Sequence, residues 1–290
     1  MVLHIKKKVL FCLVKGLYSI ANLLLLIDDF VMKKRNLYFM IIKKLQFLIV
    51  LTIILSTTTL SQSINEPYNF PLKPGMPEWK TLKSHIEMLN VLQIPKYTLV
   101  RMTTRSLLEN CLNYPLFSNI MLYDTPKTGI EVIISSFNGF SELLKRPDVY
   151  TYLSKKFILF DPIAINEDWS LVEKGNYTFE LIRIKLLLAQ DIVLESANYE
   201  SKVSLLKEAL LKYEKMLTQK EYYALFHYEQ TFFLIGKILI KSDNPNISSL
   251  VINNKEIFNF LETGRLTSYN VVDEILSIAN RVINQKGESR

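Results

Sequence analysis

The sequence predicts an all-α protein, an irregular, solenoid-like stack of about ten helices, and three observations carry that expectation. From Trp79 onward, apolar residues recur at helical spacing almost without interruption. Prolines and cap-forming side chains stand between these runs, as at Thr103, Pro126 and Pro147; a proline at a helix start gives up an N–H that has no helical partner anyway. The only β-branched runs, Val132-Ile133-Ile134 and Ile163 to Ile165, are short and lack a partner run at hairpin distance.

The first element is a leader. Residues 40–61 read MIIKKLQFLIVLTIILSTTTLS: Lys43 and Lys44 form a positive start, Leu45 to Leu55 an apolar core, and Thr59 and Ser61 are small residues at −3 and −1 of a cut before Gln62. That is the grammar of a cleaved secretory signal. A membrane anchor needs about 20 apolar residues, whereas this run gives way to Ser56-Thr57-Thr58-Thr59. Residues 32–61 are therefore read as the signal peptide and the chain as exported, to the periplasm, the cell surface or the medium. Contact with a membrane is expected only if the leader stays uncleaved. Residues 1–31 hold a second apolar stretch, Val9 to Ile27, broken by Lys15. Two insertions in tandem would leave the five basic residues from Lys33 to Lys44 on the wrong side. The simpler reading is an upstream extension, with translation starting at Met32 or Met40.

Residues 62–78 hold four prolines and one glycine and are expected to form an extended arm carrying Tyr68 and Phe70 up to Trp79. The remainder, 79–290, reads as one helical domain. Its expected helices are Trp79 to Leu92, a short one after Pro95, one capped by Thr103 or Thr104, a short apolar segment from Leu116 to Tyr123, and Lys127 to Phe137 ended by Asn138-Gly139. Phe140 to Lys145 and Asp148 to Phe160 follow. Residues 161–175 read as a connection and a hinge. Tyr177 to Glu195 is apolar on most faces and belongs inside an array. Lys202 to Leu217, Gln219 to Lys241, Ile247 to Leu261 and Thr267 to Asn284 complete the domain, with a turn at Asn244-Pro245-Asn246 and a frayed end.

Charge and chemistry mainly exclude. The formal charge is +7, but residues 1–61 contain nine basic and two acidic residues, so 62–290 carry 26 of each. A neutral body has no overall footprint for nucleic acid, and none is expected as a partner. With Cys12 in the leader, Cys111 stands alone and reads as a small buried hydrophobe. His85 and His227 have no metal-ligand companions at useful spacing, and no phosphate loop, G-x-S-x-G or H-E-x-x-H motif occurs. No cofactor, metal or catalytic residue is therefore assigned. The richest segment is Gln219 to Lys241, where His227 and Glu229 sit among aromatic residues; its spacing favours a central core helix over a pocket. The acid pairs Glu167-Asp168 and Asp273-Glu274 read as solvated or capping groups, though paired carboxylates are the equipment of glycosidases.

The segments FPLKPGMPEW (Phe70 to Trp79), QIP (Gln93 to Pro95), CLNYPL (Cys111 to Leu116), FNGF (Phe137 to Phe140) and ELLKRPD (Glu142 to Asp148) resemble a group of secreted proteins from Bacteroidota. The resemblance covers mainly residues 70–160. It implies export and a bacterial envelope or extracellular setting, and it brings no activity or site residue with it.

The functional expectation is a non-enzymatic helical binding or scaffold protein with a protein or glycan partner. Tyr68, Phe70 and Trp79 are the candidate partner-binding residues, because aromatic anchors beside prolines lose little entropy on docking. A carboxylate-dependent hydrolase of envelope or dietary polymers and a membrane-tethered protein are the alternatives.

Overall fold

The computed structural model describes residues 63–285, Gly16 and a short helical segment at 43–49. The chain divides at Gln62, and each part is described by itself. In the first part, residues 43–49 are helical, with Leu45, Phe47 and Leu48 exposed. The 1–31 extension, most of the 32–61 signal segment and the frayed end lie outside the described residues. Among the described residues no helix is long and apolar enough to cross a membrane.

From Ser63 on, the protein is all-α. The helices are α1 (His85–Val91), α2 (Lys96–Leu99), α3 (Thr104–Leu112), α4 (Pro126–Ser136), α5 (Asn138–Leu143), α6 (Val149–Leu159), α7 (Leu171–Leu188), α8 (Asp191–Glu195), α9 (Tyr199–Leu217), α10 (Leu225–Ile240), α11 (Pro245–Asn253), α12 (Lys255–Thr263) and α13 (Asn270–Gln285). Two 3₁₀ turns, Pro77–Thr81 and Phe117–Leu122, join them. The described residues contain no strand, only an isolated parallel bridge between Ile64 and Met102.

Three helices expected as single are each cut in two, and polar side chains mark the cuts. Trp79 to Leu92 divides at Ser84, whose hydroxyl accepts from the Glu87 N–H while the Glu87 carboxylate accepts from the Lys83 N–H. Ile247 to Leu261 divides at Asn254, whose side chain accepts from the N–H groups of Glu256 and Ile257. Tyr177 to Glu195 divides at Ala189-Gln190, where the Gln190 amide turns back to the Leu186 carbonyl. In each case a local capping bond outcompetes one more helical turn, which apolar periodicity alone does not register. Asn138-Gly139 opens α5 where a break was expected, and the break falls at the extended Phe137. Gly139 is needed for a close approach: a Cβ there would lie 2.3 Å from the Phe137 ring. Helix α7 begins at Leu171, inside the expected connection, because Ser170 and Glu173 form a reciprocal capping box. Helix α12 ends as helices commonly do, at a left-handed glycine, Gly264, with φ 76°.

Helices α7 and α10 organise the packing. Helix α7 contacts α3, α6, α8 and α10, and α10 contacts α7, α9, α11, α12 and α13. Their mutual contact joins the earlier and later helices into one hydrophobic cluster that runs from Phe70 to Val282. Leu181, Ile184, Leu186, Leu187 and Leu188 of α7 are fully buried, as are Leu234 and Ile235 of α10. Each such side chain contributes about 1.5–3 kcal/mol on leaving water.

The arm lies on its own domain. The Ile64 N–H donates to the Arg101 carbonyl at 2.8 Å, and the Ile64 carbonyl accepts from the Thr103 N–H at 2.9 Å. Further along, the Asn110 side chain imitates a β-partner: its Oδ1 accepts from the Tyr68 N–H at 2.6 Å and its Nδ2 donates to the Tyr68 carbonyl at 2.8 Å. Two more amides lock α1 to α5. Gln93 donates to the Ser136 carbonyl and accepts from the Asn138 N–H, while Asn138 pairs with both backbone groups of Ile94.

Candidate functional site

The residues singled out from sequence fall in three different places. Phe70 is buried against Phe137, with Tyr68 set edge-on to it at 5.3 Å. Tyr68 and Trp79 are half-buried and pack on the core. Phe70 thus has no free face, and what the arm offers to solvent is limited to parts of Tyr68 and Trp79. His227 and Glu229 do not meet in a common pocket. The His227 Nδ1 accepts from the Ala224 N–H at 3.1 Å, and its ring stands edge-on to Tyr223. Burial, reinforced by the nearby Lys185 ammonium, pushes the imidazole down to about 4. Lys185 is itself buried, donating to the His227 carbonyl at 2.7 Å and to the Thr231 hydroxyl at 2.9 Å, and burial holds its pKa well below the usual lysine range. Glu229 faces another way, accepting from the Leu266 N–H at 3.0 Å, and burial raises its carboxyl. It lines a separate depression of about 330 Å³ with Met121, Phe226 and Arg265. Glu167, Asp168, Asp273 and Glu274 are exposed. The Cys111 thiol is sealed in the core and its pKa is raised by burial, the opposite of what an attacking thiolate needs.

A second, wider concavity was not legible as a motif. A cleft of about 630 Å³ opens between the end of α3 with the turn that follows it and the first half of α7. One wall carries Asn113, Tyr114 and Ser118; the other carries Trp169, Glu173, Asn176, Tyr177, Glu180 and Arg183, with Phe117 and Phe179 between them. The capping box that starts α7 sets the register of this second wall. From Ser170, a helix repeat brings Glu173, Asn176, Tyr177, Glu180 and Arg183 to one side.

Three half-buried aromatic rings, Trp169, Tyr177 and Phe179, and the buried Tyr114 line this space. Tyr177 is stacked on Phe160 at 4.5 Å and tilted against Trp169 at 5.2 Å, and its hydroxyl donates to the Asp161 carbonyl at 2.7 Å. Phe179 stands edge-on to Phe117 and lies under the Arg183 guanidinium at 5.5 Å. Tyr114, stacked on Phe137 at 4.5 Å, has a phenol oxygen with no hydrogen-bond partner, and burial pushes its pKa up to about 12. The carboxylates of the cleft already have partners. Glu173 accepts from the Ser170 N–H and hydroxyl, which lowers its pKa, and Glu180 pairs with Lys156 at 3.2 Å. Among the described residues no group of three or more His, Cys, Asp and Glu side chains is placed to hold a metal ion.

Scans of this chain against protein-family models, curated proteins and solved structures returned no match. The fold and the cleft therefore stand on their own geometry. What defines the class is an all-α array with an open cleft of mixed aromatic and planar polar lining.

Proposed function

We propose that this chain is an exported, non-enzymatic binding protein whose cleft between α3 and α7 takes a saccharide ligand. The observation that carries the reading is the lining: Trp169, Tyr177 and Phe179 offer faces to the C–H surfaces of a sugar ring, while Asn113, Ser118 and Asn176 supply exposed planar or hydroxyl groups for its hydroxyls. Binding is favoured over hydrolysis because the cleft carboxylates are engaged. A glycosidase requires one carboxylic acid held protonated by a raised pKa, whereas Glu173 is shifted downward and Glu180 is tied to Lys156. Export rests on the leader grammar of residues 40–61 and is tested by mass spectrometry of the secreted protein, with an N-terminus expected at or near Gln62.

A glycan array probed with the purified protein, followed by calorimetry of its hits, tests the cleft. Trp169→Ala should weaken binding about ten-fold or more, the value of one stacking anchor, while the helical circular dichroism signal and melting temperature stay nearly unchanged. Turnover of a glycan that disappears on neutralising Glu173 or Glu180 would replace this reading with the hydrolase.

A further inference from the structure

Each charged group lining the cleft, with one exception, has its counterpart within the protein. Glu173 is satisfied by Ser170, and Glu180 by Lys156, which also holds Glu109 at 2.9 Å. The exception is Arg183. No ion pair joins it to a carboxylate among the described residues, its Nε–H is shielded from solvent without an acceptor, and its best hydrogen bond is a long one, 3.4 Å from Nη2 to the Asn176 carbonyl. The ring of Phe179 supports the guanidinium from below, which fixes its plane without neutralising it. A guanidinium presents a rigid fork of donors suited to two parallel bonds with a carboxylate. Leaving such a cation partly buried without a contacting carboxylate is costly; burial lowers its pKa, and the attraction of Glu180, which is not in ion-pair contact, opposes this without reversing it. Across the cleft the Tyr114 hydroxyl is a second unpartnered donor in a residue only 2% exposed.

Both unmet groups ask for a hydrogen-bond acceptor, and one of them asks for negative charge. Resting on the saccharide reading above, we infer that the cleft selects an acidic sugar, with the ligand carboxylate seated on Arg183 and the sugar ring against Trp169 and Tyr177. A neutral sugar would leave the guanidinium with only the non-contacting Glu180 carboxylate as counter-charge, itself held by Lys156, and gain only the stacking contacts.

The experiment is calorimetry on the purified protein with matched oligosaccharides: hexuronate- and nonulosonate-containing chains, and the same chains with the carboxylate converted to its methyl ester. The acidic forms should bind about ten- to a hundred-fold more tightly than the esters, the range for one charge-assisted pair. Arg183→Gln should bring acid and ester to about equal affinity, and Arg183→Lys should restore the preference only in part, because a point charge lacks the fork. Equal affinity for acid and ester overturns the inference and leaves the saccharide reading intact. Failure of every sugar, acidic or neutral, overturns both. Capture of a peptide through its free C-terminal carboxylate, in place of any sugar, overturns the inference as well.

Discussion

Helix α10 and the first half of α7 differ in a way that composition does not reveal. Helix α10 concentrates reactive and aromatic residue types: His227, Tyr228, Glu229, Phe232 and Phe233 within about two turns. Yet it touches five other helices, and the polar atoms of His227 and Glu229 are turned to internal use. The His227 imidazole closes the helix start, its carbonyl receives Lys185, and Glu229 holds the loop at Leu266. The wall of α7 that faces the cleft is plainer in sequence, with Asn176, Tyr177, Phe179 and Arg183 spaced along a helix otherwise full of aliphatic residues. It keeps half-buried faces because the chain opposite, from Asn113 to Ser118, leaves a gap instead of closing on it. A binding surface here depends on what packing leaves uncovered more than on where reactive residue types accumulate.

That contrast has consequences of different size. The largest is expected where α7 is most enclosed. Leu187→Asp places a carboxylate in a site with no exposure, at a cost of several kcal/mol whether it ionises or stays protonated. The variant should lack a cooperative thermal transition, and wild-type melting would mean that the two ends of α7 do not differ as described.

Next in size is the pH response of α10. Because the His227 imidazole is held down to about 4 against an ordinary 6.5, the unfolded chain binds the extra proton first. Its contribution is complete above pH 6.5 and is lost progressively as pH falls through 4, by about 3 kcal/mol in all. Urea denaturation of the wild type and of His227→Gln across that window isolates the effect: the difference between the two should change with pH in this direction. A pH-independent difference would place His227 in contact with water.

A smaller effect belongs to the arm. Asn110→Ala deletes both bonds to the Tyr68 backbone and should cost about 2 kcal/mol, with faster amide exchange at Tyr68 and no change in ligand affinity, since Asn110 does not line the cleft. Loss of affinity in that variant would tie arm and cleft together and blur the comparison.

Most helix positions could be read from the chain because they follow from local rules. Thr103 caps α3 by a bond that spans three residues and Pro126 begins α4, as expected, whereas Ser170, Asn198 and Pro245 start α7, α9 and α11 earlier than apolar spacing alone suggested. The errors were local too, at Ser84, Gln190 and Asn254, where one side chain ended a helix that apolar periodicity would have carried on. The cleft was much less legible. Trp169 fell in a stretch read as a connection, and Arg183 in a helix read as buried. One signal was available, a cation placed among aliphatic neighbours on α7, but the same description fits Lys185 two residues later. The two point to different surroundings: Lys185 finds acceptors on α10, and Arg183 finds a cleft.

The all-α class, the punctuation of the chain by caps and prolines, and the neutral charge of the body after residue 61 are properties of sequence, because each depends on residue type and on spacing of a few positions. Which amphipathic faces are covered depends on partners more than forty residues away. Asn110 holding Tyr68, Gln93 holding Ser136 and Lys185 holding His227 are such long-range pairings, and no local pattern encodes them. Burial is decided by the sum of those pairings, so only the assembled structure could leave Trp169, Tyr177 and Arg183 together on one wall of an open cleft while enclosing the more conspicuous residues of α10.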